Sequence, residues 1–133
     1  MEALEVRTSR RSELVNITEM VREAVKRSGV SEGVAHLWSF HTTCGLTVNE
    51  GADPDVARDI AWKLDDLVPR EEPGYQHGEG NSDSHMKTSM VGPGVSLLVS
   101  AGDIALGTWQ AVFLAEFDGP RSRRVGVQVV PAT

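Results

Sequence analysis

Residues 109–130 read WQAVFLAEFDGPRSRRVGVQVV, and no other part of the chain indicates its architecture so directly. Residues 109–117 and 123–130 are two runs rich in valine and aromatic residues, which are typical of β-strands. The tripeptide DGP at 118–120 lies between them and predicts a hairpin-type turn. This stretch therefore predicts antiparallel β-structure in the second half of the chain.

Three further strands are predicted outside this stretch. Residues 95–100 form an apolar run that ends in the turn AGD at 101–103. Residues 2–8 alternate apolar and polar side chains, as a half-buried strand does. Residues 34–41 carry apolar side chains on both faces, which favours a central strand of a sheet.

Two main helices are predicted between these strands. The first begins at Thr18, whose hydroxyl is suited to cap a backbone N–H, and ends at Gly29. The second has Asp53 as its N-cap and Pro54 at its first position, and it ends before Pro69. Its apolar residues recur at helical spacing and predict a buried stripe, made of Val56, Ala57, Ile60, Ala61, Leu64 and Leu67.

A polar, glycine-rich loop at residues 69–84 follows the second helix. A loop of this length within a compact domain is usually functional or disordered. Asp83 is predicted to cap a short helical stretch that runs to Met90. The order β, α, β, α, long loop and antiparallel strands predicts one α+β domain over residues 1–133, with a mixed, mostly antiparallel sheet and two main helices.

The composition narrows the class of protein. The 133 residues include 13 Lys and Arg against 19 Asp and Glu, a net charge of −6, which disfavours non-specific binding to nucleic acid. No apolar run approaches the ~20 residues needed to span a bilayer, and the first residues lack the apolar segment of a signal peptide. Cys44 is the only cysteine, which excludes an internal disulfide. We expect a soluble, cytoplasmic protein that binds neither nucleic acid nor membrane.

Three of the four histidines, His41, His77 and His85, stand in polar surroundings near glycines. Neutral imidazole is the commonest protein ligand for zinc-like metals, and three such ligands leave a position open for water or substrate. The spacing alone is a weak signal, and for His77 taken by itself a solvated loop is the better explanation, whereas the three histidines together favour a shared polar site. Glu50 is a candidate acid, base or orienting group near them in sequence. His36 is interpreted as a structural or interface residue.

Other candidates are weaker. The run GTWQ at 107–110 combines a glycine that permits close backbone approach or a bulge with the amide of Gln110 at the start of a strand, or else marks a packed tryptophan at a strand bend. Arg121, Arg123 and Arg124 follow the predicted turn and either neutralise a phosphate or form a solvated face. Cys44 is interpreted as a small packed residue.

Taken in order, several of these motifs resemble the YjbQ-like family of small bacterial and archaeal proteins, which are often labelled secondary thiamine-phosphate synthases. The matching runs are HTT at 41–43, VNE at 48–50, DPDV at 53–56, YQH at 75–77, EGNSDSH at 79–85, LGTWQ at 106–110 and EFDGPR at 116–121. The resemblance covers nearly the whole chain, and GTWQ after the histidine-containing loop is its most specific element.

The resemblance implies an α+β subunit that assembles as a homotrimer, with a polar site at or near a subunit boundary. The residues that it implies at this site are His41, His77 and His85 as metal ligands, with Glu50, Asn81 and Gln110 as catalytic neighbours. A divalent metal held by imidazoles would be zinc-like rather than magnesium, because Mg²⁺ prefers oxygen ligands.

Two functions are consistent with these features. The first is a metal-dependent enzyme that acts on a small phosphorylated substrate, with a weak, secondary thiamine-phosphate synthase activity as its specific form. That reaction joins a pyrimidine methyl group to a thiazole phosphate with loss of pyrophosphate, and it is normally served by carboxylate-held Mg²⁺, which three histidines match poorly. The alternative is a non-catalytic homotrimer that binds a metal or a phosphate.

Overall fold

The chain folds into eight strands and three helices, and the computed structural model describes all of residues 1–133. The strands are β1 (Glu2–Arg7), β2 (Glu13–Asn16), β3 (Gly33–Ser39), β4 (Cys44–Glu50), β5 (Gly94–Ser100), β6 (Asp103–Ile104), β7 (Gln110–Glu116) and β8 (Ser122–Pro131). The helices are α1 (Thr18–Ser28), α2 (Pro54–Leu67) and α3 (Ser82–Val91).

The strands form two separate sheets. One has five strands in the order β1-β8-β3-β5-β6, and the other has three in the order β2-β7-β4. Every pairing is antiparallel. The predicted α+β class is confirmed, and β3 has the central position that its apolar faces predicted.

The core is built from both sheets and from α1. Alternate residues of β3, Ala35 and Leu37, point into it, and α1 contributes Val21, Ala24 and Val25 from one face. Burial of each large apolar side chain stabilises the fold by about 1.5–3 kcal/mol relative to exposure. The core therefore joins α1 to the two sheets.

The predicted hairpin at residues 118–120 is wrong, because β7 and β8 belong to different sheets. The carboxylate of Glu116 accepts the backbone N–H groups of Phe117 and Asp118, which ends β7. The N–H of Gly119 then donates to the carbonyl of Arg11, outside either strand. These bonds lead the chain from one sheet across to the other.

The helix boundaries agree with the sequence at some ends and not at others. Gly29 ends α1 at φ 73°, in the left-handed region that favours glycine, and Asp53 caps α2 by accepting the N–H of Asp55. Thr18 is the first residue of α1 instead of its cap. Its hydroxyl accepts the N–H of Val112 at 2.9 Å, so it ties the helix to β7.

The predicted buried stripe of α2 is wrong in degree, because no residue of this helix is buried. The helix lies against β2 and β4, and its stripe is at most half-buried. Trp62 and Leu67 are 64% and 60% exposed. An amphipathic helix that leaves this much apolar surface in water is unusual within one chain.

Helix α3 begins two residues earlier than predicted, with Asn81 instead of Asp83 at the N-cap position. Asp83 lies in its first turn and does not cap it, because its carboxylate binds the side chains of Arg11 and Lys87. None of the three helices combines the length and the apolar character that crossing a membrane requires.

Candidate functional site

The side chain of His85 is shared by two neighbouring cavities. The first, which we call the His77 cavity, has a volume of about 710 Å³ and is lined by His77, His85, Ser82, Met86 and Met90 among others. The second, the His41 cavity, has a volume of about 540 Å³ and is lined by His41, His85, Thr88, Trp38 and Phe40 among others. His85 and Ser89 line both cavities. Together they form one region that contains all three predicted histidines.

His77 and His85 pack edge to face at the His77 cavity. His85 lies in the first half of α3, and His77 comes from the loop between α2 and α3. Their ring centroids are 5.5 Å apart and the ring planes are nearly perpendicular, at 89°. His77 also has its Nε2 atom 3.7 Å from the carboxylate of Glu79. The loop and the helix thus bring two imidazoles to one wall.

His41 follows the end of β3 and is half-buried. Its Nε2 atom accepts the backbone N–H of Arg124 at 2.8 Å. Burial lowers the pKa of His41 below its ordinary value, and the positive charge of Arg123 lowers this pKa further. The neutral imidazole is therefore the favoured form.

The start of α3 adds polar groups to the first cavity. Ser82 is the first residue of the helix and lines the cavity, close to the partial positive charge of the helix N-terminus. Asn81, directly before it, is only 8% exposed. Its Nδ2 atom donates to the carboxylate of Asp118 at 2.8 Å, while its Oδ1 atom is buried without a partner. This end of the region favours negatively charged ligands.

A buried charged cluster fixes α3 in place. Lys87 is fully buried and donates to Asp83 at 2.8 Å and to Asp65 of α2. Arg11 binds the carboxylate of Asp83 through two nitrogens, at 2.9 and 3.1 Å. Burial alone would raise the pKa of Asp83, but the hydrogen bonds from Arg11 and Lys87 lower it below its ordinary value. Because α2 and α3 flank the loop that carries His77, the cluster holds both ends of that loop.

A second buried ion pair supports His41. Arg123 is 2% exposed and binds the carboxylate of Glu116, which is fully buried. The same guanidinium donates to the hydroxyl of Thr43 at 2.9 Å, two residues after His41. The three arginines do not share one environment, because Arg123 is buried on Glu116, whereas Arg121 pairs with Asp118 and Arg124 lies 5.2 Å from the ring centroid of Phe40. Of the three, only Arg121 and Arg124 are exposed to solvent.

Glu50 and Gln110 lie at the other end of the three-stranded sheet. They are opposite each other in the register of β4 and β7. Cys44 and Glu116 pair at the far end, six residues along, so the two ends are about 20 Å apart at ~3.4 Å per residue. Glu50 accepts the N–H of Ala52, and Gln110 accepts the N–H of Gly107. Within one chain Asn81 directly precedes the helix that carries His85, but its side chain binds Asp118 and lines neither cavity. Glu50 and Gln110 lie at the far end of their sheet.

The donor set of one chain does not fit a three-histidine metal centre. No group of three or more His, Cys, Asp and Glu side chains is arranged to hold a metal ion. The Nε2 lone pair of His41 already accepts a backbone N–H. Cys44 is buried, and burial raises the pKa of its thiol, so it is not available as a ligand. The divalent metal stays a prediction.

Sequence reasoning missed two side chains of this region, Lys87 and Thr88. Lys87 stands four residues after Asp83, a spacing that predicts a helical ion pair but not its burial. Thr88 is 6% exposed, and its hydroxyl has no partner. No pattern in the sequence predicts that the hydroxyl of Thr88 is buried without a hydrogen-bond partner.

Comparison with known proteins places this arrangement in a family. The family model described as UPF0047 protein YjbQ-like matches residues 2–132. UPF0047 protein MJ1081 of Methanocaldococcus jannaschii is 44% identical over 126 residues, covering 95% of this chain and 91% of that protein. UPF0047 protein YugU of Bacillus subtilis is 38% identical over 130 residues, covering 98% of both.

Solved structures share the fold at similar identity. An uncharacterised conserved protein of the YjbQ/UPF0047 family from Clostridium acetobutylicum superposes with a TM-score of 0.95 at 43% identity, covering 98% of this chain and all of that one. The conserved hypothetical protein TT1486 from Thermus thermophilus gives a TM-score of 0.91 at 47% identity, with the same coverage. The function of the family is uncharacterised, and a YbjQ-like relative from Sulfolobus solfataricus is described as a protein of unknown function. On the family match and these identities, the chain belongs to the UPF0047 (YjbQ-like) family.

Proposed function

We propose that the protein binds a small phosphorylated molecule in the region around His85 and acts on it through its imidazole groups. The observation that carries this proposal is that His85 forms a common wall of the two cavities, with His77 on one side and His41 on the other. A ligand that extends through both cavities would meet all three imidazoles.

The surroundings favour an anionic group. The N-terminus of α3 and the side chain of Ser82 supply hydrogen-bond donors, and the nearby carboxylate of Asp83 is neutralised by Arg11 and Lys87. Imidazole titrates near neutral pH, so it can donate to a phosphate oxygen and also transfer a proton. These are the properties expected of a site for phosphate esters.

Another part of the His77 cavity is apolar. Val68, Met86 and Met90 line it, and the two methionines are 43% and 59% exposed. Thioether side chains adapt to irregular apolar ligands. A phosphorylated molecule with an apolar body would therefore place its phosphate near the start of α3 and its body on the methionines.

The specific reaction stays a prediction. The region formed by the two cavities supports the general proposal that the protein binds a phosphorylated small molecule. The secondary thiamine-phosphate synthase activity is one reaction to test at this region. A zinc-like ion is also to be tested, since one chain supplies at most the pair His77 and His85 close to each other.

We also propose that the subunits assemble as the homotrimer that the family resemblance implies. All three tryptophans, Trp38, Trp62 and Trp109, are exposed by 53%, 64% and 64%, although tryptophan is a highly buried residue on average. Exposed apolar patches of this kind mark protein interfaces. Assembly could also bring the end of the sheet that carries Glu50 and Gln110 in one subunit toward the histidines of another subunit. The second candidate function is a trimer that binds phosphate without catalysing a reaction.

Calorimetric titration with inorganic phosphate and with phenyl phosphate tests the proposal. We expect His85→Ala to weaken binding at least tenfold and His36→Gln, a change of an exposed histidine on β3, to leave it unchanged. Turnover of phosphate esters followed by ³¹P NMR then separates the candidates, because an enzyme loses turnover in His85→Ala and a non-catalytic trimer shows none. Binding that is absent, or equal in both variants, refutes the proposed site.

Elemental mass spectrometry and sedimentation complete the test. One equivalent of metal per subunit that disappears in His85→Ala would support the metal-dependent form of the proposal. A trimeric mass in sedimentation equilibrium would support the assembly, and a monomeric mass at all concentrations would refute it.

A further inference from the structure

His41 occupies a place in the hydrogen-bonding of the five-stranded sheet. Where β3 ends, the N–H of Phe40 donates to the carbonyl of Arg124 at 3.4 Å. The N–H of Arg124 in β8 does not donate to a main-chain carbonyl of β3. It donates instead to Nε2 of His41 at 2.8 Å. The imidazole therefore serves as an acceptor that continues the strand pairing.

This bond fixes the tautomer of the imidazole. A backbone N–H only donates, so Nε2 must carry the lone pair, and in the neutral ring the proton then resides on Nδ1. His41 consequently presents an N–H group to its surroundings. A metal ion needs a lone pair, and the only one on this ring is already engaged.

Thr88, which also lines the His41 cavity, carries a hydroxyl that makes no hydrogen bond within the protein. Thr88 is 6% exposed, and its Oγ1 atom is buried with no hydrogen-bond partner. Buried polar atoms are nearly always paired, so an unpaired hydroxyl calls for a partner that the protein itself does not supply. The hydroxyl of Ser39, in the same cavity wall, makes its bonds elsewhere: it donates to the carbonyl of Cys44 at 3.0 Å and accepts the N–H of His41 at 3.3 Å.

We infer that the His41 cavity is an oxyanion subsite, in which the Nδ1–H of His41 and the hydroxyl of Thr88 donate to a phosphate oxygen, and that His41 is not a metal ligand. The inference rests on the proposed function, since it names the group of the phosphorylated ligand that this cavity takes. The positive charge of Arg124, which lies against the ring of Phe40 in the same cavity wall, is consistent with an anion.

Two matched substitutions separate the two nitrogens of His41. Gln places its amide near the position of Nε2, so His41→Gln keeps an acceptor for the N–H of Arg124 and loses the donor. Asn places its amide near Nδ1, so His41→Asn keeps the donor and loses the acceptor. We expect His41→Gln to weaken binding of inorganic phosphate about ten- to hundredfold, the range for a hydrogen bond to a charged group. We expect His41→Asn to retain more of the binding and to melt at a lower temperature.

Thr88→Val removes only the unpaired hydroxyl and keeps the shape of the side chain. Because no hydrogen bond within the protein is lost, we expect a melting temperature at or above that of the unchanged protein. Phosphate binding should weaken about tenfold or more, for the same reason as in His41→Gln. A Thr88→Val protein that binds phosphate as tightly as the unchanged protein would overturn the subsite.

The tautomer is measured directly by long-range ¹H–¹⁵N NMR of protein labelled in its histidines. We expect His41, assigned by the spectrum of His41→Gln, to be the Nδ1–H form, to shift when phosphate is added and to stay unchanged when ZnCl₂ is added. An Nε2–H form, or ligation of zinc by His41, would overturn the inference. If phosphate binding depends on His85 but not on His41 or Thr88, this inference fails while the proposed function stands. If phosphate does not bind at all, both fail.

Discussion

Replacing Glu116 by Gln should strongly destabilise the protein. The carboxylate is fully buried and accepts from the hydroxyl of Thr8 at 2.7 Å, from Arg123 through two nitrogens, and from the N–H groups of Phe117 and Asp118. The amide of Gln keeps one of the two oxygens, and its NH₂ group faces donors. Arg123, at 2% exposure, would be left as a buried charge without a counterion.

The expected cost follows from that uncompensated charge. Removing one partner of a buried ion pair typically costs about 3–5 kcal/mol. For a chain of 133 residues this corresponds to a fall in Tm of about 10–20 °C. In urea, with a slope of about 2 kcal/mol per molar, the midpoint should fall by about 2 M.

The assay is equilibrium unfolding in urea followed by far-UV circular dichroism. Protein concentration must be held fixed, because assembly contributes to apparent stability. The double variant Glu116→Gln/Arg123→Met carries no buried charge at this position, so it should be more stable than Glu116→Gln alone. A loss below about 1 kcal/mol in the single variant, or no recovery in the double variant, would refute the idea that the charge of Arg123 depends on Glu116.

Three further predictions follow from buried groups. The pKa of Asp83 is lowered in the fold, so its contribution to stability is complete at neutral pH and is lost as the pH falls through that lowered value, below about pH 4. The variant Asp83→Asn should therefore have a lower Tm at pH 7 and should lose less stability on acidification than the unchanged protein. Equal loss of stability in acid would contradict this. Cys44 is fully buried with a raised thiol pKa, so Ellman's reagent should label it only as fast as the protein opens. A Cβ at position 45 would lie 2.6 Å from the carbonyl oxygen of Gly92. Gly45→Ala should therefore lower the free energy of unfolding by about 1–3 kcal/mol, as measured by thermal melting. An unchanged Tm would show that the backbone moves aside there without cost.

Local patterns predicted most of the elements but not their assembly. The alternation in β1 and the capping of α2 by Asp53 depend on residues within one element, and both are found in the structure. Strands β2 and β4 were not predicted. β2 has only four residues, and β4 is buried through its first three residues instead of alternating, so neither shows a clear two-residue period. The switch of sheets after β7 depends on Glu116, whose partners are distant in sequence as well as near.

The candidate site was predictable to a similar extent. Histidines in polar, glycine-rich surroundings predict a shared site, and in the structure His41, His77 and His85 line adjoining cavities. The pattern could not show that Nε2 of His41 is engaged by a backbone N–H from β8, because that contact joins residues 83 apart in sequence. It also could not show that Glu50 lies at the other end of its sheet, since distance along a strand is set by the pairing register.

The placement of buried charges explains why the histidine region is a stronger candidate than the Glu50 end. A buried ion pair is often no more stabilising than apolar packing of the same volume, so its presence calls for another reason. Here both buried charged groups lie at the histidine end: Glu116 with Arg123 binds Thr43 beside His41, and Asp83 with Lys87 flanks His85 on α3. Lys87 also reaches α2, from which the His77 loop departs. Each segment that carries a histidine is thus held by directional hydrogen bonds. Such bonds fix the position of a side chain more narrowly than apolar contacts do, and a site that recognises a small ligand requires side chains in fixed positions.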